Sequence, residues 1–289
     1  MSADIDLEPC LRIFLSVDIV GSTAYKQQDP RPSSQAWVNL FKDFFTDFPL
    51  LFTTKYKTAF KAISPSGESD PNTPAVWKGL GDEILFHKKL GKSAEAMITV
   101  DAFIEAIEEY RHAFTGKHLD LKGSAWIAGF PVNNIRLQIA DYEDFIGPSI
   151  DIGFRISKFA TPSRFVLSCD LATILLDGGT SRDYLFTGTE RLKGVFGDDE
   201  YPIIFMRMGD QANDVEGLIP SVATSRLKSY CDDFCTSASY PLIFPFITGD
   251  QKFWKQPQDY TSRLDSLKLM LRADVKSDTE PRTAAAEES

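Results

Sequence analysis

The sequence predicts an α+β domain. Short apolar runs of strand length are interspersed with longer amphipathic stretches of helical period rather than grouped apart from them. A chain of 289 residues, 43% of them hydrophobic, has enough apolar material for a sizeable core.

Taken in order, Arg12 to Val20 is a nearly continuous apolar run and reads as a buried strand. Ser34 to Phe52 reads as a helix, with Trp37, Leu40, Phe41, Phe44, Phe45 and Phe48 at core spacing. Ile63 to Ala75, rich in Ser, Pro, Gly and Asp, reads as a loop. Val76 to Lys78 and Glu83 to His87 are two short strands joined through Gly79-Leu80-Gly81-Asp82, a hairpin with an aspartate near its tip. Ser93 to Phe114 follows as an amphipathic helix whose buried side is marked by Ala94, Met97, Ile98, Phe103, Ile104 and Ile107. Lys122 to Ala128 and Asn134 to Ala140 are expected strands, 148–159 a helix, and Arg164 to Ser168 a further strand. Leu192 to Val195 and Tyr201 to Met206 are expected to complete the sheet, closing a domain that spans 1–209. Residues 210–273 read as a helical extension, clearest over Tyr260 to Leu271, and the polar composition of 274–289 is that of a disordered tail.

Composition narrows the function. A net charge of -10 argues against general nucleic-acid binding, which needs a basic field, although local cations and a metal can still bind one nucleotide. The acidic start, Met1 to Pro9, lacks the basic and apolar segments of a signal peptide, and no stretch is long enough to span a bilayer, so a cytoplasmic protein without a membrane partner is expected. Four cysteines form no dense framework and are expected as thiols, Cys231 and Cys235 being spaced as helix neighbours.

Two carboxylates carry the chemistry. Asp18 stands at the end of the apolar run Ile13 to Val17 and opens into Ile19-Val20-Gly21-Ser22-Thr23, small residues suited to a loop around phosphate; Asp82 sits near the hairpin tip. Together they suggest a two-metal nucleotide site. Each has a plainer reading alone: Asp18 as a helix cap, Gly81-Asp82 as an ordinary turn, Lys78 as a solvated strand lysine.

A third segment, Asp144-Phe145-Ile146-Gly147-Pro148-Ser149-Ile150-Asp151-Ile152-Gly153-Phe154-Arg155, completes a pattern. With Asp18, and with Lys78 four residues before Asp82, it resembles the catalytic domain of the class III nucleotidyl cyclases, the family of adenylyl and guanylyl cyclases, over roughly residues 10 to 207. The resemblance implies a ferredoxin-like, βαββαβ-derived fold and two Mn²⁺ or Mg²⁺ ions per site held at Asp18, Ile19 and Asp82. It places the triphosphate on Ile19, Val20, Gly21, Ser22 and Thr23, at a helix beginning near Ala24, and the base on Lys78 and Asp144. Arg155 is implied as the residue that stabilises the transferring phosphoryl group, and Lys193 in Leu192-Lys193-Gly194 as a triphosphate contact. Asp151 stands where the family usually has Asn, and an ionised carboxylate only accepts hydrogen bonds where an amide also donates.

In that family the metal aspartates and the base-reading and arginine residues lie across a subunit boundary, which implies a head-to-tail homodimer with two composite sites. Hydrogen bonding by Lys78 and Asp144 fits adenine, cytosine or uracil alike. The sequence as a whole is most similar to the bacterial Pycsar antiphage cyclases, in their uridylate branch, which implies conversion of UTP to cyclic UMP as a defence signal. Cytidylate, adenylate and guanylate cyclases, and a retired cyclase that only binds nucleotide, are the alternatives. Gly81-Asp82-Glu83 also resembles the diguanylate cyclase hairpin, but Leu80 interrupts its glycines.

Overall fold

The computed structural model describes residues 4–27, 36–64, 69–139, 142–179, 182–195, 199–209, 218–238, 246–247, 250 and 259–277. Its elements are β1 (Asp4–Asp6), β2 (Cys10–Val20), α1 (Ser22–Gln27), α2 (Ala36–Ile63), β3 (Ala75–Leu80), β4 (Glu83–Leu90), α3 (Ser93–Tyr110), β5 (Asp120–Phe130), β6 (Ile135–Ile139) and β7 (Tyr142–Ile146). They continue with α4 (Pro148–Ile156), β8 (Arg164–Leu167), α5 (Cys169–Gly178), β9 (Tyr184–Arg191), β10 (Glu200–Arg207), α6 (Thr224–Ser237) and α7 (Tyr260–Ser277). A seven-stranded sheet runs β3-β4-β2-β5-β8-β10-β9, and a small sheet runs β1-β6-β7. Every pairing is antiparallel except β5 with β8. The fold is α+β, as expected.

Strand β2 is largely apolar, Arg12, Ser16 and Asp18 apart, because both of its faces are covered. Leu15 pairs with Phe86 of β4, and the Phe86 ring meets Phe48 and Phe52 of α2 and Phe103 of α3. On the other face Phe14 pairs with Trp126 of β5 and packs against Trp77 and Phe145. Each fully buried ring of this kind contributes roughly 1.5–3 kcal/mol relative to exposure.

Helix α2 is longer than its sequence suggests. Phe41, Phe44, Phe48, Phe52 and Tyr56 form one buried stripe that carries the helix past Pro49 to Ile63, eleven residues beyond the expected end. Trp37 and Phe45, expected in the core, lie off that stripe and are 37% and 36% exposed. The expected start at Ser34 lies outside the described residues. In α3 Ala94 is likewise exposed, and the last four expected residues form a 3-10 turn, Arg111–Phe114. Glu95 takes the buried position: its Oε2 lies 2.6 Å from Nζ of Lys88, which also sits 2.9 Å from Oδ2 of Asp70 and has no exposed side-chain surface.

Strands β7 and β9 and helix α5 were not anticipated, and Leu192 to Val195, expected as strand, is the turn after β9. The extension seats on the sheet domain. Leu227, Cys231 and Cys235 of α6 join the same core, with both cysteines against the Cys169 thiol of α5. The Val222 N–H donates to Tyr184 O at 2.8 Å, and Tyr260 of α7 donates its hydroxyl to Phe130 O at 2.9 Å. Residues 274–277, expected in the tail, continue α7; the rest of the tail lies outside the described residues. Among the described residues no helix is long and apolar enough to cross a membrane.

Candidate active site

The antiparallel register of β2 with β4 and β5 builds the site at one end of the sheet. Asp18 lies opposite Glu83 on one side and Lys122 on the other. Gly81, at φ +68°, makes the two-residue turn that sets Asp82 immediately beside this trio. The Ile19 N–H donates to the Asp82 carbonyl at 3.4 Å, tying the end of β2 to the hairpin tip. Side chains complete the tie, Ser22 donating to Oδ2 of Asp82 and Ser16 to Oε1 of Glu83. Asp18 and Asp82, 64 residues apart in sequence, thus converge.

Three carboxylates and one lysine share this corner, Lys122 Nζ lying 3.0 Å from Oδ2 of Asp18. Burial raises the Asp18 carboxyl above its ordinary range and the charge of Asp82 adds to the rise, against the pull of Lys122. Burial likewise raises Glu83, with Asp18 and Asp82 repelling it and Ser16 and Lys122 opposing the shift. A cavity of about 200 Å³ opens here, lined by Ser16, Asp18, Glu83, Lys122, Ser124 and Lys158 among others. Among the described residues no group of three or more His, Cys, Asp or Glu side chains is arranged to hold an ion. The residues nevertheless fit a hard divalent cation that takes two carboxylates and fills its remaining positions with water and phosphate oxygens, the habit of Mg²⁺.

The expected phosphate loop is shorter than its motif. Ile19 and Val20 remain in β2, paired with Leu121 and Asp120. The amide of Ile19 is committed to Asp82, so it does not serve a phosphate. Gly21 makes the turn at φ +84°, where a Cβ would lie 2.8 Å from His118 O, and α1 starts at Ser22, two residues before the expected Ala24. Ser22 is buried and spent on Asp82; Thr23 is exposed in the first turn.

Lys78 and Asp144 meet, although they belong to different sheets: Nζ lies 2.9 Å from Oδ1. Helix α4 starts where Gly147, at φ +141°, leaves room that a Cβ would close at 2.5 Å from Asn133 O. Asn134 Oδ1 accepts the Ser149 N–H at 3.0 Å in its first turn. Asp151 and Arg155 lie one turn apart on the exposed side of α4, and among the described residues neither forms an ion pair. Lys193 is exposed in the turn after β9, the strand at the opposite edge of the sheet from β3. One chain therefore joins Asp18 with Asp82 and Lys78 with Asp144, while Arg155 and Lys193 face outward. Glu83 and Lys122 escaped the sequence reading because only strand register puts them beside Asp18.

No family model matches the chain, and no curated protein is similar to it in sequence. Solved structures share its fold. The adenylyl cyclase CyaB from P. aeruginosa is 15% identical at a TM-score of 0.51, covering 73% of this chain and 97% of its own. The guanylate cyclase domain of RhGC from Catenaria anguillulae, solved in complex with GTP, is 10% identical at 0.51, covering 70% and 98%. The catalytic core of a rhodopsin-guanylyl cyclase with converted specificity, in complex with ATPalphaS, is 12% identical at 0.50, covering 71% and 99%. The chain thus has the fold of class III cyclase catalytic domains.

Proposed function

We propose that this protein is a nucleotidyl cyclase that closes a ribonucleoside triphosphate to its 3',5'-cyclic monophosphate, with UTP favoured and cyclic UMP a signal in antiphage defence. The observation that carries the reading is the convergence of Asp18 and Asp82, in a fold shared with adenylyl and guanylyl cyclases. The preference for UTP and the defence role rest on the sequence resemblance alone. The catalytic unit is residues 1–209, with 210–273 bracing it, and the protein works in the cytoplasm.

In the reaction the ribose 3'-oxygen attacks the α-phosphorus, the bond to the bridging oxygen of the β-phosphate breaks, pyrophosphate leaves and the hydroxyl proton passes to water. Two Mg²⁺ or Mn²⁺ ions, when bound, would lower the pKa of that hydroxyl and neutralise the triphosphate. Asp18 and Asp82 would hold the ions, and Ser22 orients Asp82 for that task. Lys122 offers a positive charge beside Asp18 to the triphosphate, and Val20 at the end of β2, Gly21 in the turn and Thr23 in the first turn of α1 would line its path. Lys78 and Asp144 hold the base, fixing the angle at which the 3'-oxygen approaches.

Arg155 and Lys193 face away from the carboxylates of their own chain, which favours a homodimer in which a second copy supplies them together with its Lys78 and Asp144. Arg155 would stabilise charge on the equatorial oxygens, worth several kcal/mol in a closed site. Asp151 lies one turn before it on the same exposed side of α4. The test is incubation with each of the four ribonucleoside triphosphates and Mn²⁺, products being resolved by chromatography. Cyclic UMP from the wild type and none from Asp82→Ala is expected; no cyclic product from any triphosphate would end the reading. Asp151 in the usual place of Asn favours one other reading, a sensor that binds nucleotide without turnover; the same experiment with a binding measurement separates the two.

A further inference from the structure

Strict alternation along β3 would send Trp77 and Lys78 to opposite faces. The strand departs from it: Val76 pairs with Phe86 and Lys78 with Leu85, leaving Trp77 as the extra residue of a bulge. A bulge re-aims side chains, and here two consecutive residues reach one carboxylate. Trp77 Nε1 donates to Oδ1 of Asp144 at 3.1 Å, Lys78 Nζ donates to the same oxygen at 2.9 Å, and the Phe145 N–H adds a third donor at 3.0 Å. Lys78 Nζ also lies 4.0 Å from the Trp77 ring centroid, within cation–π range. The indole is itself pinned, 8% exposed, with Phe14 and Phe145 each at 5.3 Å and Phe154 at 6.1 Å between ring centroids.

We propose that Trp77 is a positioning residue for base recognition, its N–H and its ring face together fixing the Lys78–Asp144 pair in one geometry. The inference rests on the cyclase reading. Oδ1 of Asp144 is saturated by three donors, so the carboxylate cannot rotate without breaking all of them. Oδ2 is left to accept from an N–H of the base, beside the remaining ammonium protons of Lys78, which seek a neighbouring lone pair. The ligand that fits is a base edge presenting one N–H next to one acceptor, in a fixed order. A carboxylate free to turn would accept that edge in several poses and discriminate less between bases.

Trp77→Phe keeps a ring in the aromatic cluster and removes the N–H. Steady-state kinetics with all four triphosphates should show KM for the preferred substrate raised about tenfold, kcat within about twofold, and the kcat/KM preference over the next base narrowed about tenfold. A tryptophan that only fills space would leave KM and preference unmoved, and that result, or a loss confined to kcat, would overturn the inference while leaving the cyclase reading intact. No cyclic product from the wild type would overturn both. Should Trp77→Phe fail to fold, Asp144→Ala in the otherwise native chain serves: in a ¹⁵N–¹H spectrum one indole resonance should move upfield as it loses its carboxylate partner. Indole resonances that all stay in place would overturn the proposal.

Discussion

Substituting Gly153 by alanine would force α4 off the sheet. An added Cβ would stand 2.2 Å from both Cδ2 and Cε2 of Trp126, where ordinary contact begins near 3.4 Å. Trp126 has no room to yield: it is 0% exposed, stacked on Phe14 at 5.8 Å between centroids and flanked by Phe154 at 5.6 Å. The helix must therefore lift by about 1 Å, and Asp151 and Arg155, two residues to either side, lift with it; displacements of that size cost on the order of a hundredfold in rate when they reach reacting groups. Overpacking of this kind costs roughly 1–3 kcal/mol. At roughly 2–4 °C per kcal/mol for a chain of this length, calorimetry should record a melting midpoint lower by roughly 2–12 °C. Cyclase turnover measured on the same sample should fall on the order of a hundredfold while the protein remains folded. A Gly153→Ala protein with the melting midpoint and turnover of the wild type would show that α4 does not rest on Trp126 as described.

Other consequences concern buried charge. Lys88→Met leaves Asp70 and Glu95 facing each other without their shared cation, at a cost of roughly 3–5 kcal/mol. Urea unfolding should show that loss; a Lys88→Met protein as stable as the wild type would contradict the role given to Lys88. Asp170, a buried residue, has its carboxyl pushed up to about 6 by burial, against hydrogen bonds from Ser168 and the Leu171 amide. Its native form keeps a proton that the unfolded chain has released, so stability declines as pH rises from about 4 to about 6, by up to roughly 3 kcal/mol. Asp170→Asn should flatten that slope, and parallel pH profiles for the two proteins would count against it.

Much of the site was legible because its motifs are local. Asp18 ends an apolar run, Asp82 sits in a glycine turn, and both lie where the sequence suggested. Lys122 and Glu83 were not legible, since what puts them beside Asp18 is the register of strands distant in sequence. Trp77 was hidden by its bulge: in an alternating strand it would be read as core and nothing more. Helix α5 was missed for another reason: every residue from Cys169 to Leu175 is buried, so its polar members Asp170 and Thr173 mark no solvent face. The last eleven residues of α2 were lost after Phe52, where Thr53, Thr54 and Lys55 break the apolar run; Tyr56, buried in line with Phe52, carries the helix on.

The proposal of a shared site is tested most directly by mixing. Asp18→Ala and Arg155→Ala proteins, each inactive alone, should regain up to about a quarter of wild-type turnover once subunits exchange, because half of the mixed molecules are heterodimers with one intact site. Exchange confirmed by mass spectrometry with no return of activity would mean that the arginine and the aspartates do not act across two copies.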